Sequence, residues 1–391
     1  MRRVKLILFI LFFFIASNLA SQIYFNLGIE EGVMVSAGDL FFVNNILSDL
    51  AYIIPFTDKG SLITYYQLRY AGPGIGNSAE SKFSERSQDH YFMLKYLWKI
   101  SPNLTLKPAV NYLKEYYKFG KNEEWGQGLY DLNKYGFECS LNYTGIEQTP
   151  ITLSYSFQIF KYPNYSDLLT LYLTEFQKDE PAEDYKNHLI TFILENSSLI
   201  QNLFLSIEYD LNLSFYDNKK VLKSDGYTSN ENQKYTSHLI SFLPQYQLNN
   251  KILFGLNFLI EINNSNQNYI FGYDPQNIFF IEDYYSYTSF NIKPSVTYLF
   301  SKNKYFSILF SYIGKKYKSR PAQDIEGKFL NSKVDINSVS FGISYYTKIS
   351  KYFSISPTYL YIKTSSNNKY QRAANYNYDA HLISLSLNYE Y

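Results

Sequence analysis

Residues 238–263 indicate the fold most clearly, and their sequence is HLISFLPQYQLNNKILFGLNFLIEIN. Apolar side chains occupy every second position on both sides of a short polar turn at residues 249–251. Most of the positions between them are polar or small, as at Gly255, Asn257 and Glu261. A period of two is typical of a β-strand whose two faces meet different surroundings. The stretch therefore predicts an antiparallel hairpin with one apolar face and one polar face.

The same hairpin recurs along the whole chain. Its turns lie near residues 57–60, 101–103, 145–149, 197–201, 249–251, 301–303 and 349–351. One further alternating run precedes these hairpins near residues 22–35, and another follows them at residues 379–391. Together these runs predict about 16 strands. The first two runs alternate least clearly, and without them the count is 14.

The composition of the two faces favours a membrane barrel over a soluble sandwich. The polar face carries Ser, Thr, Asn and Gly rather than Lys and Glu, and the chain holds 42 Tyr and 31 Phe. A tilted strand crosses a bilayer with about 9–11 residues, which these runs supply. We predict an all-β, transmembrane, antiparallel up-and-down β-barrel with short periplasmic turns and long extracellular loops. The long loops are expected near residues 71–87, 120–132, 163–183, 217–233, 265–283, 319–334 and 365–378.

The first 21 residues have the pattern of a signal peptide. Arg2, Arg3 and Lys5 precede an apolar run from Leu6 to Ala16, and small residues follow up to Ser21. A run this short indicates a cleaved export signal rather than a membrane anchor. We therefore expect a signal peptide at residues 1–21 and a single barrel domain at residues 22–391.

Charge and cysteine content narrow the chemistry further. The net charge is +1, and no basic stripe indicates a nucleic-acid partner. Cys139 is the only cysteine, which excludes an internal disulfide and a site of several thiolates. The sequence indicates no cofactor and no metal site.

The final strand carries a more specific pattern. Ile383 begins an alternation that continues through Leu385, Leu387, Tyr389 and Tyr391. This resembles the C-terminal insertion signal of Gram-negative outer-membrane β-barrel proteins, although Ser386 stands where many members of that class carry Gly. The resemblance implies an outer-membrane location, contact with outer-membrane lipid, and recognition by the export and barrel-assembly machinery. A homo-oligomer, such as a trimer, is also compatible with it.

Charged residues on the polar face are the candidate functional residues. We expect the lumen to be lined by Glu138, Glu195, Glu208, Asp210, Glu261 and Lys293. A loop folded into the lumen would form a constriction, with candidate residues Glu123, Glu124, Asp131, Lys95, Lys107 and Arg69. The simpler interpretation of that loop is an ordinary surface loop whose Trp125 lies at the outer membrane interface.

These features favour a porin-like passive channel for small polar solutes. A surface-exposed adhesin or receptor, or a structural barrel with a closed lumen, is the main alternative, because several long loops contain apolar residues. A secreted soluble β protein is a further alternative. No catalytic site is expected. The strongest fragment for a hydrolase or acyltransferase at the rim is Asp89-His90, and it lacks an identifiable nucleophile.

Two repeated features are interpreted structurally. His90, His188, His238 and His381 each lie near the start of a strand that runs toward a short turn, which indicates a position on the outer wall rather than a metal site. Prolines interrupt four otherwise regular strands and predict β-bulges there, at Pro108, Pro244, Pro294 and Pro357.

Overall fold

The computed structural model describes residues 22–36, 39–73, 85–118, 123–165, 183–196, 200–271, 279–370 and 377–391. Strands form because β-branched and aromatic residues alternate with small polar ones, a pattern that suits a pleated sheet with two distinct faces. Within the described ranges, no helix is long and apolar enough to span a bilayer. The predicted signal peptide at residues 1–21 lies outside the described residues.

The strands are β1 Gln22–Ser36, β2 Asp39–Thr57, β3 Gly60–Pro73, β4 Arg86–Ser101, β5 Leu104–Lys118, β6 Leu132–Tyr143, β7 Ile151–Lys161, β8 Tyr185–Asn196, β9 Leu203–Leu222, β10 Thr228–Asn249, β11 Ile252–Ser265, β12 Tyr269–Phe271, β13 Phe279–Ile281, β14 Tyr287–Ser301, β15 Lys304–Gln323, β16 Phe329–Lys348, β17 Phe353–Ser366 and β18 Tyr378–Glu390. All but β12 and β13 form one closed antiparallel barrel in which each strand pairs with its neighbours along the chain. The barrel has 16 strands, so that prediction is confirmed and the count of 14 is wrong.

The barrel closes between β1 and β18. These strands pair without a register shift from Asn26 opposite Glu390 to Ser36 opposite Ala380. The backbone of Tyr391 adds two hydrogen bonds to Phe25, at 2.8 and 3.0 Å. Closure leaves no strand of the barrel wall with an unpaired edge, which a bilayer requires because lipid offers no hydrogen-bonding groups.

The register places every apolar run on the outside. Ile383 and Phe353 are 64% and 53% exposed on that face, which in water would be an unfavourable apolar surface. Small polar residues such as Ser140 and Ser241 lie on the inside. With strands tilted by about 40° and spaced about 4.8 Å apart, a 16-stranded wall has a radius of about 16 Å. Short side chains cannot fill that width.

The two ends of the barrel differ. At one end, which we call the short-turn end, adjacent strands are joined by two to seven residues. At the opposite, long-loop end most connections are longer segments or extended hairpins, and β1 and β2 alone are joined by two residues. Two predicted loops are wrong, since residues 217–233 and 319–334 are largely strand. There β9–β10 and β15–β16 continue past the wall as extended arms, because their polar residues pair across the hairpins. A third predicted loop, at residues 265–283, contains the small hairpin β12–β13.

The prediction of bulges at four prolines is also wrong. Each proline pairs with one neighbouring strand, as Pro108 does with Cys139 on β6 and Pro294 with Leu256 on β11. The ladder to the other neighbour is interrupted at the proline and then resumes in the same register. Proline lacks only its own N–H, so it removes a local hydrogen bond without requiring an extra residue.

Candidate functional site

The site is the inner face of the barrel, where charged residues of both signs lie among small polar ones. Lys95 on β4 and Glu138 on β6 face each other across Ala109 on β5. Their side chains form an ion pair of 3.6 Å between Nζ and Oε1. Ser140 Oγ also donates a hydrogen bond to Glu138 Oε1, at 3.0 Å. Alanine at the intervening position leaves room for this contact.

A second ion pair lies nearer the long-loop end. Arg69 on β3 donates to Asp89 Oδ2 on β4 through Nε at 2.7 Å and Nη2 at 2.5 Å. The Asp89 side chain is buried, whereas that of Arg69 is 57% exposed to the lumen. Both donors converge on the same carboxylate oxygen, and these charge-assisted contacts orient the guanidinium. Lys107, the third basic residue proposed for the constriction, is on the inner face of β5 opposite Ser140.

Three predicted carboxylates come together on β8 and β9, four and five strands along the wall from β4. Glu208 and Asp210 are two residues apart on the inner face of β9, and Glu195 is on the inner face of neighbouring β8. Thr191 Oγ1 donates to Asp210 Oδ1 at 2.5 Å. Among the described residues these three carboxylates form no ion pair with Lys or Arg. They therefore give this part of the lumen an excess of negative charge.

The last two predicted lumen charges are on β11 and β14. Glu261 accepts hydrogen bonds from Tyr287 Oη at 2.8 Å and from the hydroxyls of Ser237 and Ser289, each at 3.3 Å. Lys293 lies opposite Asn257 on the same inner face. All six predicted lumen charges thus lie on the inner face, in agreement with the alternation.

One inner cluster was not predicted. Asp49 on β2 accepts hydrogen bonds from Tyr65 Oη at 2.5 Å, from Gln67 Nε2 at 2.9 Å and from Asn26 Nδ2 at 3.1 Å. Beside it, Asn45 donates to Glu30 at 3.1 Å. The sequence signal was present, because Asp49 lies at an inward position, but the alternation of β1 and β2 was too weak to assign faces.

An aromatic row near the long-loop end was also missed. Phe160 and Tyr185 stack with ring centroids 4.3 Å apart, and Tyr216 continues the row at 5.2 Å from Tyr185. Tyr235 follows at 5.8 Å. Just beyond the strands, burial raises the pKa of the Tyr162 hydroxyl above its usual value. The rings of this row, three of which carry hydroxyl groups, line the inner face of β7 to β10 at the mouth of the lumen.

The predicted constriction loop is arranged differently from an inward fold. Trp125 lies against the Lys118 ammonium, 5.0 Å from Nζ to the ring centroid, on the outward face of β5. Glu124 accepts a hydrogen bond from Gln127 within the loop turn at 3.2 Å. Asp131 is fully buried. In this structure Glu124 and Asp131 do not lie opposite Lys95 or Lys107, and the surface-loop interpretation fits the position of Trp125.

Asp131 instead stabilises the base of this loop. Its Oδ1 accepts from the Tyr117 backbone N–H at 2.9 Å and its Oδ2 from Asn164 Nδ2 at 3.2 Å. We expect Asp131→Ala to leave that buried N–H without its acceptor, at a cost of about 1–3 kcal/mol confined to the loop. Limited proteolysis should show faster cleavage between residues 118 and 131. An unchanged cleavage rate, with Asp225→Ala in an exposed turn as control, would contradict this role.

The four histidines lie on the outward face and share one contact. Tyrosine Oη lies 2.8–2.9 Å from the histidine Nδ1 in each of the pairs Tyr66–His90, Tyr155–His188, Tyr209–His238 and Tyr359–His381. Each tyrosine is on the strand before its histidine. The repeat was visible in the sequence, but the tyrosine partners were not, because pairing depends on register. Asp89 and His90 are on opposite faces of β4 and cannot act on one substrate.

Alternate residues of the predicted insertion signal lie on the outward face of β18 and of the residue that follows it. Leu385 and Leu387 are each 44% exposed on the lipid-facing side, and Tyr391 is 62% exposed. Tyr389 packs against Phe353 with centroids 4.9 Å apart. Within the described ranges, no group of three or more His, Cys, Asp or Glu residues is placed to hold a metal ion.

Comparison with known proteins supports the fold and gives no information on function. No family model matches the chain, and no curated protein matches it. Among solved structures, it is similar to CdiB from Acinetobacter baumannii, with a TM-score of 0.52 and 8% identity over 94% of this chain and 60% of that one. It is also similar to OmpT, an outer membrane protein of Vibrio cholerae, with a TM-score of 0.49 and 9% identity over 95% and 98% of the chains. Pseudomonas aeruginosa OccD3 gives 0.48 and 8% identity over 94% and 91%.

The likeness to CdiB agrees with the closed barrel fold. The chain is a closed β-barrel that resembles the outer-membrane proteins of Gram-negative bacteria. Identities this low say nothing about what passes through it or binds to it.

Proposed function

We propose that this protein is a passive channel for small polar solutes. The observation that carries the proposal is the inner face of the closed barrel, where small polar residues surround separated charges of both signs. Such a wall holds water, because it offers hydrogen-bonding groups along its length and few apolar surfaces. A wall of 16 strands generally encloses an aqueous channel.

The unequal distribution of charge supports a preference for cations. Arg69 and Lys95 are each neutralised by a carboxylate, and Lys107 and Lys293 are single lysines on separate strands. Glu195, Glu208 and Asp210 instead lie together on two neighbouring strands and form no ion pair among the described residues. Negative charge that is not neutralised raises the local concentration of cations.

Purified protein in planar lipid bilayers should show stepwise conductance in potassium chloride. A salt gradient across the bilayer should give a reversal potential of the sign expected for cation preference. The control is the same protein unfolded before addition. A folded barrel, verified by its heat-dependent mobility on a gel, that inserts without conductance would refute the channel.

A surface-binding barrel is the second candidate, and the extended arms favour it. Tyr227 at the tip of β9–β10 is 72% exposed, and Ile325 at the tip of β15–β16 is 80% exposed. Asn268 Nδ2 braces the first arm by donating to the Leu222 carbonyl at 2.6 Å, and Phe279 stacks on Phe329 of the second at 4.6 Å. Braced arms that present apolar tips suit binding to another surface.

The arms also give the experiment that separates the two candidates. Replacing both tip residues with serine should leave conductance and the adhesion of cells that display the protein unchanged if the barrel acts only as a channel. If the arms are the functional surface, adhesion should fall. The export signal, recognition by the assembly machinery and association into a trimer are further proposals that rest on the resemblance to outer-membrane barrels.

A further inference from the structure

Basic residues recur on the outward face at the long-loop end, and most of them are neutralised. Lys161 and Lys186 bind Asp217 at 3.2 and 2.9 Å. Lys316 lies 3.6 Å from Asp335, and Lys234 lies 2.8 Å from Glu231. A lysine at this level of the wall is therefore generally accompanied by a carboxylate.

The outward face of β4 and β5 departs from this rule. Arg86 lies directly opposite Lys118, and four residues further on, His90 lies directly opposite Lys114. Among the described residues, none of these three Lys and Arg side chains forms an ion pair. Like charges directly opposite each other on neighbouring strands are destabilising. An arrangement of this kind is stabilised by an anion between the two strands.

Polar and aromatic groups complete the surroundings of this basic patch, which we define as Arg86, His90, Lys114 and Lys118. Gln88 and Tyr116 face each other in its centre. The Gln88 amide nitrogen lies 3.0 Å from His90 Nε2. Lys114 Nζ lies 5.0 Å from the Tyr116 ring centroid, which holds the ammonium close to the patch. Glutamine, tyrosine and lysine all offer donors to an oxygen-rich anion.

The position of the basic patch selects the anion. Directly below it, Phe92 and Val110 are 47% and 51% exposed on the lipid-facing wall. Trp125 covers Lys118 from above. The patch thus lies where an apolar band meets an aromatic interface, the level at which lipid headgroups are found. Glu31 on β1 is a carboxylate at the same level of the wall, but it is three strands away from the patch on β4. It accepts a hydrogen bond from Asn44 on β2.

We propose that the basic patch on β4 and β5 binds the phosphate group of an outer-leaflet lipid. Arg86 and Lys114 supply charge and direct hydrogen bonds, because a guanidinium and an ammonium match phosphate oxygens. Lys118 adds charge from beneath Trp125. The acyl chains then extend along Phe92 and Val110. This surface is outside the lumen, so it is independent of the proposed channel.

The test compares lipid retention by two double variants. Protein folded into phosphatidylcholine vesicles that contain phosphatidic acid is extracted in mild detergent, and the bound lipids are counted by native mass spectrometry. Wild-type protein should retain phosphatidic acid in preference to phosphatidylcholine. In R86Q/K114Q that preference should fall about thirtyfold, since each basic residue near a membrane surface contributes about fivefold.

The matched control is K234Q/K316Q, which removes two lysines that are already paired with carboxylates. It should keep the wild-type preference, and both variants should keep the wild-type conductance. Equal loss of preference in the two variants would overturn the proposal, and so would no loss in R86Q/K114Q. Displacement of the lipid by millimolar inorganic phosphate would also overturn it, because the patch would then bind free anions.

Discussion

Reversing the charge of Glu208 and Asp210 together should convert the channel from cation preference to anion preference. The double variant E208K/D210K changes the charge of the inner wall by four units at one level of the barrel. At about 10 Å in water, each unit is worth about 0.4 kcal/mol before screening. In 0.1 M salt the screening length is also about 10 Å, so the four units shift the energies of a cation and an anion by about 0.6 kcal/mol each, in opposite directions. The cation-to-anion permeability ratio should therefore fall about eightfold.

Lower salt should enlarge this effect. At 0.01 M the screening length is about 30 Å, and the ratio should then fall about fiftyfold. Reversal potentials in asymmetric potassium chloride measure it directly. Neutralisation by E208Q/D210N should give about half the shift in free energy, because it removes half as much charge.

A matched control places the same change outside the lumen. Asp225 and Glu231 lie on the β9–β10 arm, and their side chains are each 55% exposed to solvent. The variant D225K/E231K alters the net charge of the protein equally but acts from beyond the wall. Its reversal potential should match that of the wild type. An equal shift in both variants would mean that Glu208 and Asp210 do not face the conduction pathway.

A lysine placed on the lipid-facing wall should have the largest effect on stability. Phe341 lies in the middle of the outward apolar run of β16, between Phe310 on β15 and Tyr361 on β17. We expect Phe341→Lys to lower the free energy of unfolding by about 2–4 kcal/mol, because an ammonium must be taken into hydrocarbon. Urea unfolding in vesicles of defined lipid measures this cost.

The neighbouring residue provides the control. Ser340 is on the inner face, so Ser340→Lys places the same group in the lumen. Its cost should be below about 1 kcal/mol, and folding into vesicles should be unimpaired. Comparable destabilisation by the two substitutions would mean that the inside and outside of the barrel had been assigned the wrong way round.

Faces could be predicted from the sequence wherever the alternation was strong. In residues 238–263, the period of two alone predicts that Glu261 faces inward and that Ile240 faces outward. The same reasoning gave the number of strands and the inward direction of Glu208 and Lys293. It failed where both faces are polar, as in the β9–β10 arm, because a strand in water needs no apolar face.

Contacts between strands could not be predicted, because they depend on register. The tyrosine partners of the histidines lie on neighbouring strands, two positions along from the residue opposite each histidine. A shift of one residue in pairing would place them on the other face. The row of like charges formed by Arg86 with Lys118 depends on register in the same way. Nothing in either strand alone indicates it.

The pairing of β1 with β18 has a consequence for how the barrel assembles. Every other barrel pairing joins strands that follow one another along the chain, so hairpins can form early over short loops. The seam instead brings together segments separated by almost the whole chain. Closing a loop of that length costs about 5 kcal/mol of chain entropy, far more than any single hairpin. The β1–β18 pairing should therefore form last during insertion and separate first under force. Completion of the barrel then depends on this one pairing.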